Sequence, residues 1–499
     1  MAEGWGSAEW IELAVCIVVI LGAHVLSRSL KLRNSLPLPP GKLAWFFWDD
    51  TKDFLRSLTV PTEVGKWIEE RRARYGNLFK ARVFFRLNVF ALGPEANRFV
   101  LSNDTKFFRS SWPKSFRELC GNSCIVVASG EQHRRLRVHV EQFLATDAVK
   151  RFLSTIEGCI LRCLDSWQDG DVVHVYPEMH LLAFTIGYKF ILGGSKDVDF
   201  DKLQEHYHVL TSNVLCFTIN LPWTRYGKAM RARNAIHEVV YAEIRKRRAE
   251  WNSGVSPFGK DRLSSRNIQL ARDLLDLFTF WEVSPESGKE WEFTEDEIAQ
   301  NVIVMLLASH VTTSSALTAA VKCLATRPDI VQELREECRS VAESKNSNKP
   351  ITWVDTKKLQ YARKVIYEAV RLHAPTSQLN KQALSDLEFA GCRIPKDWVV
   401  VLFAGETHTK EENFPSPEVF NPDRFNEKID LYSFIPFGRG ARMCPGEKFA
   451  TVLMQIFLYH LVQRFEFELV RPEEKFVMLL GRPNTDLPVK LKSIREMSE

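Results

Sequence analysis

Cysteine, arginine and glycine stand at chemically suggestive spacing in the run Phe437-Gly-Arg-Gly-Ala-Arg-Met-Cys-Pro-Gly446. Cys444 lies in a short loop broken by glycines, with Arg442 two residues before it. A helix-forming stretch, Glu447 to about Phe465, follows directly. The free N–H groups and partial positive charge of a helix N-terminus favour a thiolate over a thiol. A sulfur held that way is suited to a soft metal centre. Gly438, Gly440 and Gly446 would let backbone pass close to a flat ligand, where a Cβ would obstruct. Arg442 can neutralise an acidic group on that ligand. On its own, a lone cysteine in a glycine turn more often behaves as a small buried hydrophobe.

Other groups must be positioned by elements that the chain also encodes. Thr294 and Glu297 have capping-box spacing ahead of a long apolar stretch. They predict a helix from Ile298 to about Thr326, stopped by Arg327-Pro328. Mid-helix stands Ala308-Ser309-His310-Val311-Thr312. Thr312 can donate to the carbonyl of Ala308, four residues back, and bend the helix. Glu368 and Arg371 share one face of a helix predicted over Leu359 to Leu372. Arg424 follows in Phe420-Asn-Pro-Asp-Arg424-Phe, and Gly130 to Arg137 reads as a basic helix start.

The pattern F-x-x-G-x-R-x-C-x-G, met here by Phe437, Gly440, Arg442, Cys444 and Gly446, resembles the haem-ligand signature of the cytochrome P-450 haem-thiolate monooxygenases. The likeness covers nearly the whole chain after an N-terminal apolar segment. Ser111 to Phe116, Gly130 to Arg137 and Leu221 to Tyr226 resemble plant enzymes that oxidise steroids and terpenoids, the first segment looking closest to diterpenoid (taxane) hydroxylases. The resemblance implies haem b with the Cys444 thiolate on its iron, framed by Phe437, Gly438, Arg442 and Gly446. It implies His133, Arg137 and Lys381 near the haem propionates, and Ala308, Ser309 and Thr312 on the oxygen side. Glu368, Arg371 and Arg424 would form a buried network bracing the cysteine loop. The implied activity is insertion of one oxygen atom from O2 into a lipophilic diterpenoid, triterpenoid or sterol. Electrons would come from NADPH through a separate reductase, because no flavin domain is recognisable. Arg134, Arg135, Arg439 and Lys448 would offer an acidic flavoprotein a basic patch. Leu119, Phe217, Met305, Ala308, Leu379 and Leu480 are the candidate channel lining. Rival readings are a reductase-independent isomerase or dehydratase, and a non-catalytic haem-binding or gas-sensing protein.

A chain of 499 residues can bury a large core, and its 45% hydrophobic and 26% charged content is ordinary for a globular protein. A net charge of +5 argues against broad nucleic-acid binding. Ten scattered cysteines without a C-x-x-C pair suit a reducing compartment. Residues 1–30 read as a membrane anchor, with Arg28, Lys31 and Arg33 after the apolar run placing the following chain in the cytosol. Residues 31–41 read as a proline-rich hinge and 42–499 as one catalytic domain, on the endoplasmic reticulum surface by resemblance. The expected fold is mainly α with minor β (α+β), with strands near Leu78 to Leu92 and Leu387 to Val401 and a polar loop over Asn252 to Asn267.

The family usually places an acidic residue just before the oxygen-side threonine; here it is Val311. Valine relays no proton, so delivery is expected through Thr312 and ordered water, with Ser309 assisting. Val311→Asp should therefore raise the fraction of reductant that ends in product. Unchanged coupling in that variant would count against a missing relay.

Overall fold

In this computed structural model, residues 36–41, 50–51, 53–54, 63–83, 86–256, 263, 270–280, 293–345, 349–477 and 482–494 are described. The anchor segment 1–30 and the first part of the hinge lie outside them. The helices are α1 (Glu63–Tyr75), α2 (Pro94–Ser102), α3 (Lys114–Cys120), α4 (Gly130–Phe143), α5 (Thr146–Asp165), α6 (Val175–Leu192), α7 (Phe200–Asn213), α8 (Arg225–Asn252), α9 (Leu274–Phe280), α10 (Glu295–Ala325), α11 (Pro328–Ser344), α12 (Trp353–Lys358), α13 (Gln360–Leu372), α14 (Ala404–His408) and α15 (Glu447–Arg464). The strands are β1 (Leu78–Val83), β2 (Arg86–Ala91), β3 (Phe108–Ser110), β4 (Val172–His174), β5 (Gln378–Ala383), β6 (Leu387–Phe389), β7 (Cys392–Ile394), β8 (Val399–Phe403), β9 (Phe465–Leu469), β10 (Phe476–Val477), β11 (Arg482–Pro483) and β12 (Pro488–Ser493).

One five-stranded sheet has the order β1-β2-β8-β5-β3, in which only β2 and β8 run parallel. Three small sheets, β4-β12-β9, β6-β7 and β10-β11, complete the minor β component. Three further strands stand outside the expected ones: β5 carries no clear apolar alternation, whereas β9 and β12 alternate but are short. α8 ends at Asn252, where the polar loop was expected to begin.

α10 organises the helical part. Thr294 and Glu297 form both halves of the capping box, Glu297 N–H to Thr294 Oγ1 and Thr294 N–H to Glu297 Oε2, each 3.1 Å. At 31 residues the helix is about 46 Å long. It packs on α6, α8, α13, α11, α9 and α15. A helix surrounded this way must be apolar all round, and α10 is long and apolar enough to cross a membrane, though most of it is buried inside the fold. Where described, residues 36–41 of the hinge form no helix or strand. Pro37 and Pro40 carbonyls accept from the N–H groups of Arg393 and Lys80, both at 2.8 Å, tying it to β7 and β1.

Glu368 and Arg371 are fully buried on α13 and pair through two bonds, Nε to Oε2 at 2.7 Å and Nη2 to Oε1 at 2.8 Å. Arg424, in the 3-10 turn Pro422–Asn426, donates Nε to Glu368 Oε1 at 3.2 Å. The arginines then reach backbone. Arg371 donates to the carbonyls of His408 and Pro417, at 2.8 and 2.7 Å, and Arg424 to those of Pro415, Ser416 and Val419. The connection to the cysteine loop runs through a residue the sequence did not single out. His408 Nε2 accepts from Ile435 N–H at 3.0 Å, two residues before Phe437. Burial, then the Arg371 charge, lowers the His408 pKa to about 3, so the ring stays neutral and acts as an acceptor.

Removing one member of a buried ionic set strands the others in low dielectric, at about 3–5 kcal/mol. Glu368→Ala should therefore lower the unfolding free energy by that order, measured by urea denaturation. A loss below about 1 kcal/mol would mean that the two guanidinium groups are satisfied by carbonyls alone.

Candidate active site

The loop from Ile435 to Gly446 is closed by backbone bonds: Cys444 N–H to Phe437 O at 2.8 Å and Gly438 N–H to Ile435 O at 3.0 Å. Gly438 and Gly440 have φ of 69° and 75°, where side chains are strained. Gly440 has a further reason to be glycine, since a Cβ there would lie 2.2 Å from the Leu101 carbonyl of α2. Gly446 is not in the left-handed region, and a Cβ on it would meet Cys444 Sγ at an ordinary 3.8 Å. Two of the three glycines thus serve the turn itself.

α15 starts at Glu447, and the N–H groups of Gly446 and Glu447 are directed at the sulfur. Cys444 is exposed, yet burial by the surrounding protein raises its thiol pKa. Both hold together when the sulfur looks onto interior space. The two N–H groups and the Arg137 charge oppose the rise. Arg137 Nη1 also donates to the Met443 carbonyl at 2.5 Å, so α4 holds the residue before the sulfur.

The remaining cations gather beside this loop. Arg442 donates to the carbonyls of Val126 and Ala128, while its buried Nε has no partner among the described residues. Burial lowers its pKa, with Asp104 opposing. His133 is buried one helical turn before Arg137, and its ring makes no hydrogen bond among the described residues. Burial, then the charges of Arg442, Arg137 and Lys381, lower its pKa to about 4. Lys381, on β5, forms a buried ion pair with Asp104. Arg137 is paired with Glu141, Nε to Oε1 at 2.6 Å, so three cations and a neutral imidazole gather with two carboxylates, Asp104 and Glu141. The surplus of positive charge, the partnerless Arg442 Nε and the interior-facing sulfur fit an iron porphyrin with its two carboxylates. Arg442 and His133 have donors to spare for those carboxylates, and Lys381, whose ammonium carries three N–H groups, gives one of them to Asp104.

On α10 the accessible positions are few. Ala308 is exposed, and Met305, Leu307, Ser309, Val311 and Thr312 are half-buried, although the elements around them are packed. At about 100° per residue Met305, Ala308 and Thr312 share one face. Thr312 Oγ1 donates to the Ala308 carbonyl at 2.8 Å. Ser309 points elsewhere: its hydroxyl donates to Leu306 O at 3.0 Å and lies against α6, where a Cβ on Gly187 would be 2.7 Å from Oγ. The loop between α3 and α4 joins α10 to the cysteine loop. Ser123 and Ile125 N–H groups donate to Gln300 and Asn301 at 2.8 and 2.9 Å, and Val126 and Ala128 accept from Arg442.

Other expected positions differ. Phe217 is 70% exposed, on a surface loop, and Leu119 is wholly buried; Leu480 lies outside the described residues. Arg135 turns inward, over the Phe293 ring and against Glu297 at 3.0 Å, so the basic patch loses it. Asp104, Gln300 and Asn301 were missed. Only the polar pair Gln300-Asn301 inside an apolar helix was a signal for them.

His310 faces the opposite side of α10 from Ala308. It is fully buried among His180, Phe184 and Tyr207, with ring centroids at 4.7, 5.3 and 6.1 Å. Burial lowers its pKa to about 3. The unfolded chain takes up this proton below about pH 6.5, while the folded chain takes it up only near pH 3. Its contribution is therefore complete above pH 6.5 and is lost as pH falls. His310→Phe should reduce the pH slope of unfolding free energy between pH 6 and pH 4 by about one proton, measured by urea titrations across that range. An unaltered slope would show that His310 titrates normally.

A family model described as Cytochrome P450 matches residues 39–489. Taxane 13-alpha-hydroxylase of Taxus cuspidata is 32% identical over 486 residues, covering 96% of this chain and 95% of its own length. Beta-amyrin 28-monooxygenase of Kalopanax septemlobus is 31% identical over 462 residues, covering 92% of each. Among solved structures, retinoic acid bound cyanobacterial CYP120A1 matches with a TM-score of 0.78 at 25% identity, over 92% of this chain and 100% of that one. With the cysteine loop, the cation cluster and the accessible face of α10 in place, the chain belongs to the cytochrome P450 family, the haem-thiolate monooxygenases.

Proposed function

We propose that this monooxygenase hydroxylates a polycyclic terpenoid or sterol with electrons from an NADPH-dependent reductase. The observation that carries the reading is the interior-facing Cys444 sulfur at the start of α15, together with the accessible Ala308–Thr312 face of α10. Haem, when bound, supplies dioxygen activation and the oxidation of a C–H bond. The chain's own residues do the rest. Cys444 ligates the iron as thiolate, favoured by the Gly446 and Glu447 N–H groups and Arg137. Arg442 and His133 hold the propionates, and Arg137 holds the Met443 carbonyl and so the height of the sulfur. Ala308 lets a flat ring lie close to α10. Thr312 carries an accessible hydroxyl on that face and can exchange its bond to the Ala308 carbonyl for a bond to water, holding a proton there. Val311 holds none.

The substrate class rests on relatives whose names specify taxanes and beta-amyrin, both bulky and apolar. Half-buried Met305 on the accessible face suits such a ligand. The apolar segment 1–30 would anchor the enzyme to the endoplasmic reticulum with residues 42–499 in the cytosol. A reductase would dock near Arg134, Arg439 and Lys448, of which Arg134 and Lys448 are exposed. Val311 favours one second reading, a reductase-independent isomerase or dehydratase, which needs no proton relay to oxygen.

Microsomes holding the chain and a reductase, given a terpenoid and sterol panel, should yield oxygenated product only with NADPH. Product without NADPH would select the isomerase reading. The reduced carbon monoxide complex should show the red-shifted Soret band of thiolate ligation. Cys444→Ala should abolish it, and persistence of that band would end the assignment of the ligand.

A further inference from the structure

Two buried amides, Gln300 and Asn301, interrupt the apolar surface of α10 in its second turn. Asn301 is wholly buried. A buried amide costs stability unless its polar atoms are bonded. Within α10 the pair finds only Asp296, which accepts from Gln300 Nε2, and the Glu297 carbonyl, which accepts from Asn301 Nδ2 at 2.8 Å. Their other partners lie on the loop between α3 and α4. Asn301 Oδ1 accepts from Ile125 N–H at 2.9 Å, and Nδ2 also donates to Ser123 O at 3.3 Å. Gln300 Oε1 accepts from Ser123 N–H at 2.8 Å. Gly121 begins this loop at φ 92°, where a Cβ would collide with the Gln300 side chain.

The loop carries that register toward the cysteine run. The Cys124 carbonyl accepts from the N–H groups of Val127 and Ala128 at 3.0 and 2.8 Å, closing a turn directly after the Asn301 contacts. The carbonyls of Val126 and Ala128 then accept from Arg442, and Val126 O also accepts from Trp112 Nε1 at 2.8 Å. α4 is fixed by the same end of α10. Glu297 Oε1, in the capping box, accepts from Gln132 and Arg135 at 3.4 and 3.0 Å. Those two residues bracket His133, and Arg137 lies two positions further along α4. Glu297, Gln300 and Asn301 therefore hold both the loop that aims Arg442 and the helix that carries His133 and Arg137.

We infer that Asn301 is a positioning residue for the haem carboxylates: it orders loop 121–128 so that Val126 and Ala128 aim Arg442, and through Arg442 it sets the haem reduction potential. The inference rests on the haem-thiolate reading. Both polar atoms of Asn301 are engaged by protein, so it acts through the loop and not on the cofactor. Reduction adds an electron to the haem. A guanidinium held against a porphyrin carboxylate in low dielectric offsets that added charge. When the two carbonyls no longer fix Arg442, water shares the guanidinium, and the ferrous state loses more stabilisation than the ferric. The potential then falls, and the porphyrin is held less tightly.

The test uses the full-length holoenzyme. Asn301→Leu should lower the midpoint potential in a redox titration followed at the Soret band. It should also speed haem transfer to apomyoglobin by about tenfold, the low end of the effect of removing a partner one step from a bound metal group. The thiolate band of the reduced carbon monoxide complex should persist. The Asn301→Leu, Arg442→Lys double variant should have the potential of Arg442→Lys alone. Gln300→Met removes the acceptor for Ser123 N–H with little change in volume. It should shift the potential in the same direction by less, and it carries the test should Asn301→Leu fail to fold. An unaltered potential in the folded variants, even with faster haem loss, would reduce the amides to packing and overturn the inference. Additive shifts in the double variant would overturn the route through Arg442. Failure of the haem-thiolate reading shows separately, as absence of the thiolate band from the unaltered protein.

Discussion

An anionic sulfur inside a protein needs positive potential on the protein side and nothing that competes for its lone pairs. That requirement organises the C-terminal half of this chain. The Gly446 and Glu447 N–H groups at the head of α15 are aimed at Cys444, and Arg137 reaches the adjoining carbonyl from α4. Neither device works if the loop drifts. The loop is therefore pinned at both ends, by α15 on one side and by His408 holding Ile435 on the other. His408 is in turn held by Arg371, whose own charge is matched by Glu368. A buried charge set is weak evidence for stability as such. Here its geometry links α13, the 415–424 segment and the cysteine loop into one rigid frame.

The same logic explains the cations beside the loop. Arg442, Arg137 and Lys381 surround His133, with Asp104 paired to Lys381 and Glu141 to Arg137. Left to themselves these groups repel, and the cost shows in the lowered pKa values of His133 and Arg442, for which burial is the larger cause. A ligand bearing two carboxylates relieves that cost. Cofactor binding is then coupled to the electrostatics of the folded chain as much as to the iron–sulfur bond.

α10 separates two environments across one helix diameter. Ala308 and Thr312 look onto the interior space, while Leu306, Ser309 and His310 close against α6, where Gly187 allows near contact. This division assigns Ser309 to packing and leaves Thr312 as the hydroxyl beside the site. It also keeps His310 out of any proton path to that face, despite its place two residues from Thr312 in sequence.

The cysteine run, the capping box ahead of α10 and the E-x-x-R pair were legible in the chain itself, because each depends on neighbours within a few residues and on helical or turn periodicity. The α10 boundary at Thr294 and the Thr312 bond to Ala308 are of this kind. Residue types there also carried the family resemblance. What tertiary structure decided was partnership over long separations. Lys381 belongs to Asp104, 277 residues away, and Arg135 to Glu297, 162 residues away. His408 serves Ile435, and Phe217 lies on the surface although its apolar side chain suggested a lining. A side chain's type limits what it can bond, but which donor or acceptor it meets is settled only when distant segments pack, since burial and competing partners set the energy of each choice.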